Sequence, residues 1–253
     1  VSALPVELKA ALARVAQAPR LLITSDFDGT LAPIVNNPAD ARPLRAGAEA
    51  LVALAQCPGT ATALISGRAL EVLRELSGMP PTVHLVGSHG AEFASGFAHS
   101  IDRELLDRIA TELGAMAASR PGVAVELKPA SVALHVRNAS PADAEAASAQ
   151  ALHAAQAWDA QLTKGKAVLE FAVITTDKGE AIDILRDEHR ASAVIYFGDD
   201  VTDEKAFRRL SDGDVGVKVG PGETLAGYRV DEPEDVVAAL KYLLDARRTA
   251  ETG

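Results

Sequence analysis

The sequence predicts an α/β fold: a doubly wound parallel-sheet core with a smaller α+β domain inserted into it. Three observations carry this prediction. Short apolar runs alternate with helical patterns from residue 21 to residue 93, and again from residue 178 onward. That is the rhythm of parallel strands joined by crossover helices. Between these stretches the order changes to helix, two closely spaced strands, helix and strand, which describes a separate compact unit. Finally, three of the core strands end in residues suited to chemistry, at Asp26, at Ser66 and at Asp199-Asp200.

The elements follow in order. Leu21–Thr24 is a short buried strand, and PLRAGAEALVALAQC (43–57) has apolar residues at helical spacing until Pro58-Gly59 stops it. TATALIS (60–66) gives a second strand, a helix covers Arg68 to Leu76, and TVHLVGSHGAEF (82–93) gives a third strand. The inserted unit opens with a helix over Ile101–Ser119 that ends at Pro121-Gly122. VAVELK (123–128) and VALHVR (132–137) have the spacing of a hairpin. Ser140 and Pro141 supply an N-cap and a first-turn proline for the alanine-rich helix that follows. KAVLEFAV (166–173) is a further strand. The core resumes with a helix over Lys178–Glu188, a strand over 192–200 and a helix over Thr202–Leu210. A strand at 215–220 and a closing helix over Glu234–Ala246 complete it.

Composition narrows the function classes. At 253 residues the chain fits one large domain, or a core with a smaller insert. Apolar residues at 48% and charged residues at 24% are ordinary for a globular protein and argue against disorder. A net charge of −10 argues against nucleic acid as a partner, since phosphate backbones need clustered Lys and Arg. No apolar run approaches the roughly 18–20 residues needed to span a bilayer, so no membrane association is expected. The first twenty residues, VSALPVELKAALARVAQAPR, carry mixed charges and read as no signal peptide. The sequon Asn138-Ala139-Ser140 is therefore set aside. Cys57 is alone and cannot form an internal disulfide, so a reducing, cytoplasmic setting is expected, with the thiol a small buried hydrophobe. The protein is expected to be a monomer.

The stretch LLITSDFDGTLAP (21–33) places two like charges at the end of a buried strand. In open α/β sheets, ligands bind beyond the carboxyl ends of the strands. An extended segment returns to one side every second residue, so Asp26 and Asp28 can face one crevice. Carboxylates held close repel unless a cation neutralises them or one is protonated. Further acids at Asp199 and Asp200 favour the cation, and an oxygen-only ligand set points to Mg2+ rather than zinc. A carboxylate facing phosphorus beside such an ion can form an aspartyl-phosphate, and a second acid two residues on can protonate the leaving alcohol. Ser66 and Lys178 are suitable donors for phosphoryl oxygens. Taken singly, each has a plainer reading: Ser66 as an N-cap, Lys178 as a solvated lysine, Asp203 and Glu204 as acids opposing a helix dipole. Their common position at strand ends and helix starts favours the joint reading.

DFDGT (26–30), SGR (66–68), DKG (177–179) and GDDVTDE (198–204) stand in the order of the four motifs of the haloacid-dehalogenase (HAD) phosphatase superfamily, which the chain resembles. Within it, residues 20–245 most resemble the trehalose-6-phosphate phosphatases. The finer signals are GSHGAE (87–92), ELKPASVALHVR (126–137) and GKAVLE (165–170). The resemblance implies a Rossmann-like HAD core in two parts, 1–97 and 173–253, interrupted by a cap domain over 98–172. It implies Asp26 as nucleophile and Asp28 as general acid/base. Mg2+ would be held by Asp26, by the Asp28 backbone carbonyl and by Asp199, with Asp200 and Asp203 in support. Ser66 and Lys178 would hold the phosphoryl group. The phosphorylated disaccharide, trehalose 6-phosphate, would meet Arg68 and His89 from the core and Glu126, Lys128, Arg137, Lys166 and Glu170 from the cap. Linkers near 95–100 and 171–177 would act as hinges. One departure stands out: after GKAVLE the family usually continues with a basic residue and proline, whereas this chain reads FAVITTDKG.

Alternation places Glu126 with Lys128 on one strand face, and Lys166 with Val168 and Glu170 on another. Charged residues of this kind also serve as solvated edge gatekeepers. Two other functions share much of the pattern. Sucrose-phosphate, mannosyl-phosphoglycerate and phosphohexose enzymes keep the core motifs and differ in the cap. Phospho-acceptor receiver domains also combine acids, Mg2+, Ser/Thr and Lys, but in about half this length and with no inserted unit.

Overall fold

In a computed structural model, which describes residues 4–174 and 176–251, the apolar run at Leu21 lies inside a six-stranded parallel sheet. Residues 1–3, 175 and 252–253 lie outside the described residues. They include the outermost residues of both expected core parts and one position of the linker expected at 171–177. The chain forms two compact units, Val1–Gly96 with Thr176–Gly253, and Phe97–Thr175.

The first unit begins with α1 (Val6–Val15), β1 (Leu21–Ser25), α2 (Arg45–Ala55), β2 (Thr60–Ile65), α3 (Leu70–Ser77) and β3 (Val83–Val86). A two-stranded ribbon, β4 (Glu92–Phe93) and β5 (Gly96–Phe97), follows. The second unit holds α4 (Arg103–Ala118), β6 (Ala124–Leu127), β7 (Ser131–His135), α5 (Pro141–Ala154), β8 (Gln161–Gly165) and β9 (Val168–Ala172). The first unit then resumes with α6 (Lys178–His189), β10 (Ala193–Gly198), α7 (Asp203–Arg208), β11 (Val215–Val219), β12 (Tyr228–Val230) and α8 (Pro233–Glu251).

The large sheet runs β12-β11-β10-β1-β2-β3, every pairing parallel. Both faces are buried, as parallel sheets require. Period-two alternation sends Leu21 and Ile23 to one face, where Leu8 and Leu12 of α1, Leu51 and Leu54 of α2 and Leu240 and Leu243 of α8 cover them. Leu22 and Tyr196 face the other side, under Ile182 and Leu185 of α6 and Phe207 of α7. Each such side chain contributes about 1.5–3 kcal/mol by leaving water. β1 thus sits between β2 and β10 with its carboxyl end at Asp26.

The second unit is a four-stranded antiparallel sheet ordered β6-β7-β9-β8. One face packs on α4 and α5 through Ile109, Leu113, Ala147, Ala151, Leu134 and Phe171, with Trp158 edge-on to Phe171 at 5.1 Å. Small alanines at i and i+4 let α5 approach closely. Ser140 caps that helix, its hydroxyl accepting from the Asp143 amide at 3.1 Å, with Pro141 next.

Several elements differ from expectation. β8 carries one large apolar residue and no clear alternation, and it forms because Leu162 registers on Phe171. The strand expected over 166–173 therefore begins only at Val168; Lys166 and Ala167 make the tight turn from β8, Ala167 at φ 63°. Lys166 accordingly does not share a strand face with Glu170. α1 and the short edge strand β12 add to the expected set.

Candidate active site

The site is built at the carboxyl end of the parallel sheet. Asp26 follows β1 and is 5% exposed, its amide donating to the Phe197 carbonyl at 2.9 Å. Asp177 caps α6, accepting from the Glu180 amide at 3.0 Å, which sets Lys178 in the first turn. The buried Lys178 ammonium contacts Asp26 Oδ1 at 2.9 Å and Asp203 Oδ1 at 2.7 Å. Asp203, wholly buried, also accepts the Tyr196 hydroxyl on Oδ1 at 2.6 Å. Its Oδ2 accepts the amides of Asp199 and Asp200, both at 2.9 Å. Four donors thus engage its two oxygens, so Asp203 organises the turn after β10. Asp199, just beyond β10, accepts from the Thr30 hydroxyl at 3.2 Å.

Carboxylate oxygens of Asp26, Asp199 and Asp203 lie within 4.8 Å of one another, a group able to hold a metal ion. Close backbone approach makes the cluster possible. At Gly29 (φ 80°) a Cβ would sit 2.1 Å from Asp199 Oδ2, so any side chain there would drive Asp199 away.

Charge crowding shifts the ionisations. Burial pushes Asp26 well above the usual carboxylate range; Lys178 opposes the shift, and Asp203 and Asp199 add to it. Asp199 is raised for similar reasons, burial first and then Asp203. Burial would also raise Asp203, but Lys178 and the hydroxyl and amide donors outweigh it and hold it low. Burial would lower Lys178, yet Asp203 and Asp26 prevail and raise it. Burial and the neighbouring acids hold the Tyr196 phenol well above its ordinary value. The nucleophile candidate is therefore short of positive charge, a deficit that a divalent cation would fill.

The remaining core candidates form a second cluster. Arg68 forks onto Asp28, Nε and Nη each 2.6 Å from a carboxylate oxygen, and stands 5.8 Å over the Phe27 ring. Ser66 is buried, its hydroxyl accepting from the Arg68 amide at 3.2 Å. His89 donates its amide to the Ser66 carbonyl at 2.9 Å and packs its ring against Gly67. Ser88 and His89 are both left-handed, at φ 51° and 56°, a conformation that costs about 1–3 kcal/mol per residue and persists only where neighbours enforce it. Glu92 does so, accepting from the Ser88 hydroxyl at 3.1 Å and the Leu70 amide at 2.8 Å. Asp200 is exposed and stands outside the acid cluster, with Oδ1 accepting from the Val201 amide at 2.7 Å.

In the second unit the register gathers polar residues on the sheet face opposite the helices. Lys128 Nζ meets Glu170 Oε2 at 2.8 Å, and the Ser131 hydroxyl donates to Glu170 Oε1 at 2.7 Å. Glu126 pairs with His135 at 2.8 Å. Arg137 and Lys166 stand apart from these pairs, exposed in turns beyond β7 and before β9. Sequence reasoning missed Ser131, His135, Tyr196 and Thr30. Strand parity was the available signal for the first three: Ser131 and His135 fall in step with Ala133 opposite Glu170, and Tyr196 lies on the α7 face.

A parallel α/β core with this acid–lysine cluster at its carboxyl edge is of the haloacid-dehalogenase type. The sequence matches the trehalose-phosphatase family over residues 24–234, and the chain belongs to that family. The trehalose-phosphate phosphatase of Mycobacterium marinum is 35% identical over 237 residues, covering 86% of this chain and 60% of the relative. The chain thus spans about three-fifths of the length of that relative. Among solved structures, an Aspergillus fumigatus trehalose-6-phosphate phosphatase superposes with a TM-score of 0.71 at 27% identity, over 94% of this chain and 97% of that one. The C-terminal domain of the Candida albicans trehalose-6-phosphate phosphatase shares the fold with a TM-score of 0.79 at 24% identity, over 96% and 99% of the two chains.

Proposed function

We propose that the protein is a Mg2+-dependent phosphatase of trehalose biosynthesis that converts trehalose 6-phosphate to trehalose and phosphate through an aspartyl-phosphate on Asp26. The observation that carries this reading is the buried Asp26–Lys178–Asp203 triad at the end of β1, in a chain of the trehalose-phosphatase family. Asp26 and Asp199, with the Asp28 carbonyl, would hold the ion, and the oxygen-only set suits Mg2+. When bound, the ion supplies charge neutralisation for an anionic nucleophile and an anionic phosphoryl group.

The chain's own residues do the rest. Asp26 attacks phosphorus and the bond to the sugar oxygen breaks, while Asp28 gives that oxygen its proton. Asp28 then takes a proton from the water that cleaves the acyl phosphate and frees Asp26. Lys178 and Ser66 hold the phosphoryl oxygens. Arg68 holds Asp28 in the present structure, so the fork must open or share before Asp28 meets the leaving oxygen. The second unit serves as the cap, and Glu126, Lys128 and Glu170 pair sugar hydroxyls; sites built this way reject analogues lacking them. Arg137, Lys166 and His89 complete the reading of the sugar site, and Asp200 and Asp203 support the metal. Among the described residues no helix is long and apolar enough to cross a membrane. With its lone buried Cys57 the protein reads as a cytoplasmic monomer.

The test is phosphate release with Mg2+ from trehalose 6-phosphate, sucrose 6-phosphate and glucose 6-phosphate, with Asp26→Asn as blank. Selective release from trehalose 6-phosphate is expected. Release from another sugar alone would keep the mechanism and overturn the cap reading. Equal release by Asp26→Asn would overturn the nucleophile.

A further inference from the structure

Lys218 belongs to none of the four motifs, yet its ammonium is buried against the site. On β11, Val215, Val217 and Val219 face the helices α1, α2 and α8, so Gly216 and Lys218 take the opposite face. A Cβ on Gly216 would sit 3.0 Å from Phe207 and from Leu210, which places that face under α7. Lys218 is 4% exposed and lies beside Gly198 in the β10–β11 pairing. Its Nζ donates to the backbone carbonyl of Asp199, and to that of Val219 at 3.3 Å. Among the described residues it forms no ion pair.

A buried ammonium without a carboxylate partner gives up hydration that two carbonyl dipoles replace only in part. A methionine would fill the same space without that cost. A buried cation with only backbone partners, retained beside a candidate reaction centre, marks a functional position. Its contact indicates which function. Asp199 is pinned at three points: its amide on Asp203, its carboxylate by Thr30, and its main-chain carbonyl by Lys218. The first two pins come from the motifs themselves. The third fixes the peptide that follows Asp199, and so the direction in which β10 delivers its carboxylate.

We infer that Lys218 is a positioning residue for the metal ligand Asp199, holding the turn after β10 in its ion-binding form. The inference rests on the reading of Asp26 and Asp199 as a Mg2+ site. It is tested by titrating chelator-treated wild type, Lys218→Met and Lys218→Arg with Mg2+ alone in a calorimeter, beside the Mg2+ dependence of turnover. A lost charge-assisted hydrogen bond predicts that Lys218→Met binds Mg2+ about tenfold or more weakly. The Mg2+ concentration for half-maximal activity should rise in parallel, and KM for the sugar phosphate at saturating Mg2+ should stay near wild type. Lys218→Arg, which keeps charge and donors, should retain most of the affinity. Because the lysine is costly to bury, metal-free Lys218→Met should melt no lower than wild type.

Equal or tighter Mg2+ binding by Lys218→Met would overturn the inference, tightening being what removal of a positive charge alone would do. Loss of fold in Lys218→Met with normal Mg2+ binding by Lys218→Arg, Lys218→Gln and wild type would reduce the residue to a packing role and equally overturn it. A wild type that binds no Mg2+ would overturn the metal reading first, and this inference with it.

Discussion

Replacing the proposed nucleophile Asp26 by Asn should abolish turnover and, in the absence of metal, make the protein more stable. Asp26 is buried, with carboxylates of Asp199 and Asp203 no more than 4.8 Å away and Lys178 at 2.9 Å. At an effective dielectric near 20, each like charge at 4.8 Å costs about 3.5 kcal/mol and the lysine returns about 6 kcal/mol. Repulsion thus exceeds attraction by about 1 kcal/mol before the cost of burying the anion is added. Neutralising Asp26 should therefore gain on the order of 1–4 kcal/mol, and each kcal/mol is worth about 2–4 °C in a chain of this size. The sign with pH follows from the raised carboxyl. Its penalty is in force above the raised folded value, fades as pH falls, and is gone below the unfolded value of 3.8. Melting should be followed in chelator between pH 4 and 8, then with Mg2+. The variant should lead at the upper end and lose its lead near pH 4, and Mg2+ should raise the wild type more than the variant. A natively folded Asp26→Asn that melts below wild type in chelator at pH 7.5 would refute the charge accounting.

Asp203→Asn should behave oppositely, because four donors lose an anionic acceptor; a loss of about 3–5 kcal/mol is expected in denaturant titrations. Since Asp203 is held low, its stabilisation is full above the unfolded value and disappears as pH falls through the folded one, so the variant's deficit should shrink in acid. Arg68→Lys keeps the charge but loses the fork on Asp28, and kcat should fall by about tenfold or more in phosphate-release assays, with the far-ultraviolet spectrum unchanged. Gly29→Ala would press a methyl onto Asp199, and Mg2+-dependent turnover should drop about a hundredfold or more. If Glu170 pairs sugar hydroxyls as proposed, Ser131→Ala, which removes one donor from it, should raise KM for trehalose 6-phosphate several-fold at nearly constant kcat, a cost of about 1 kcal/mol.

The core was legible because its strands are buried on both faces and punctuated by glycine, proline and acid. β2, β10 and β11 fall within the runs that predicted them, β1 extends one residue past its own to Ser25, and the capping residue Ser140 and its proline stand where the sequence placed them. Asp26 and Asp199 could be paired because strand ends in such sheets converge. Their connection through Lys178 and Asp203 could not, since it depends on side-chain reach. The pattern failed where structure is imposed from outside the segment. β8 owes its existence to β9, and β12 is three residues paired onto β11. Lys166 shows the cost of a displaced boundary: two residues of turn remove it from the face it was expected to share. Lys218 went unread because a lysine within an apolar strand resembles a surface residue until its strand's parity is known.

The position of β1 in the sheet has a consequence for how the molecule assembles. One of its partners, β2, is close in sequence, but the other, β10, is about 170 residues away, as the Thr24 to Ile195 contact records. The second unit, whose contacts are all drawn from one continuous segment, can complete itself first. During synthesis β1 and β2 therefore wait with an apolar edge unpaired until β10 leaves the ribosome, and pairings of such long range form slowly. Nascent chains should be most vulnerable to proteases and to self-association in that interval, and helper proteins that shield strand edges should act on this fold before Asp26 and Asp199 have met.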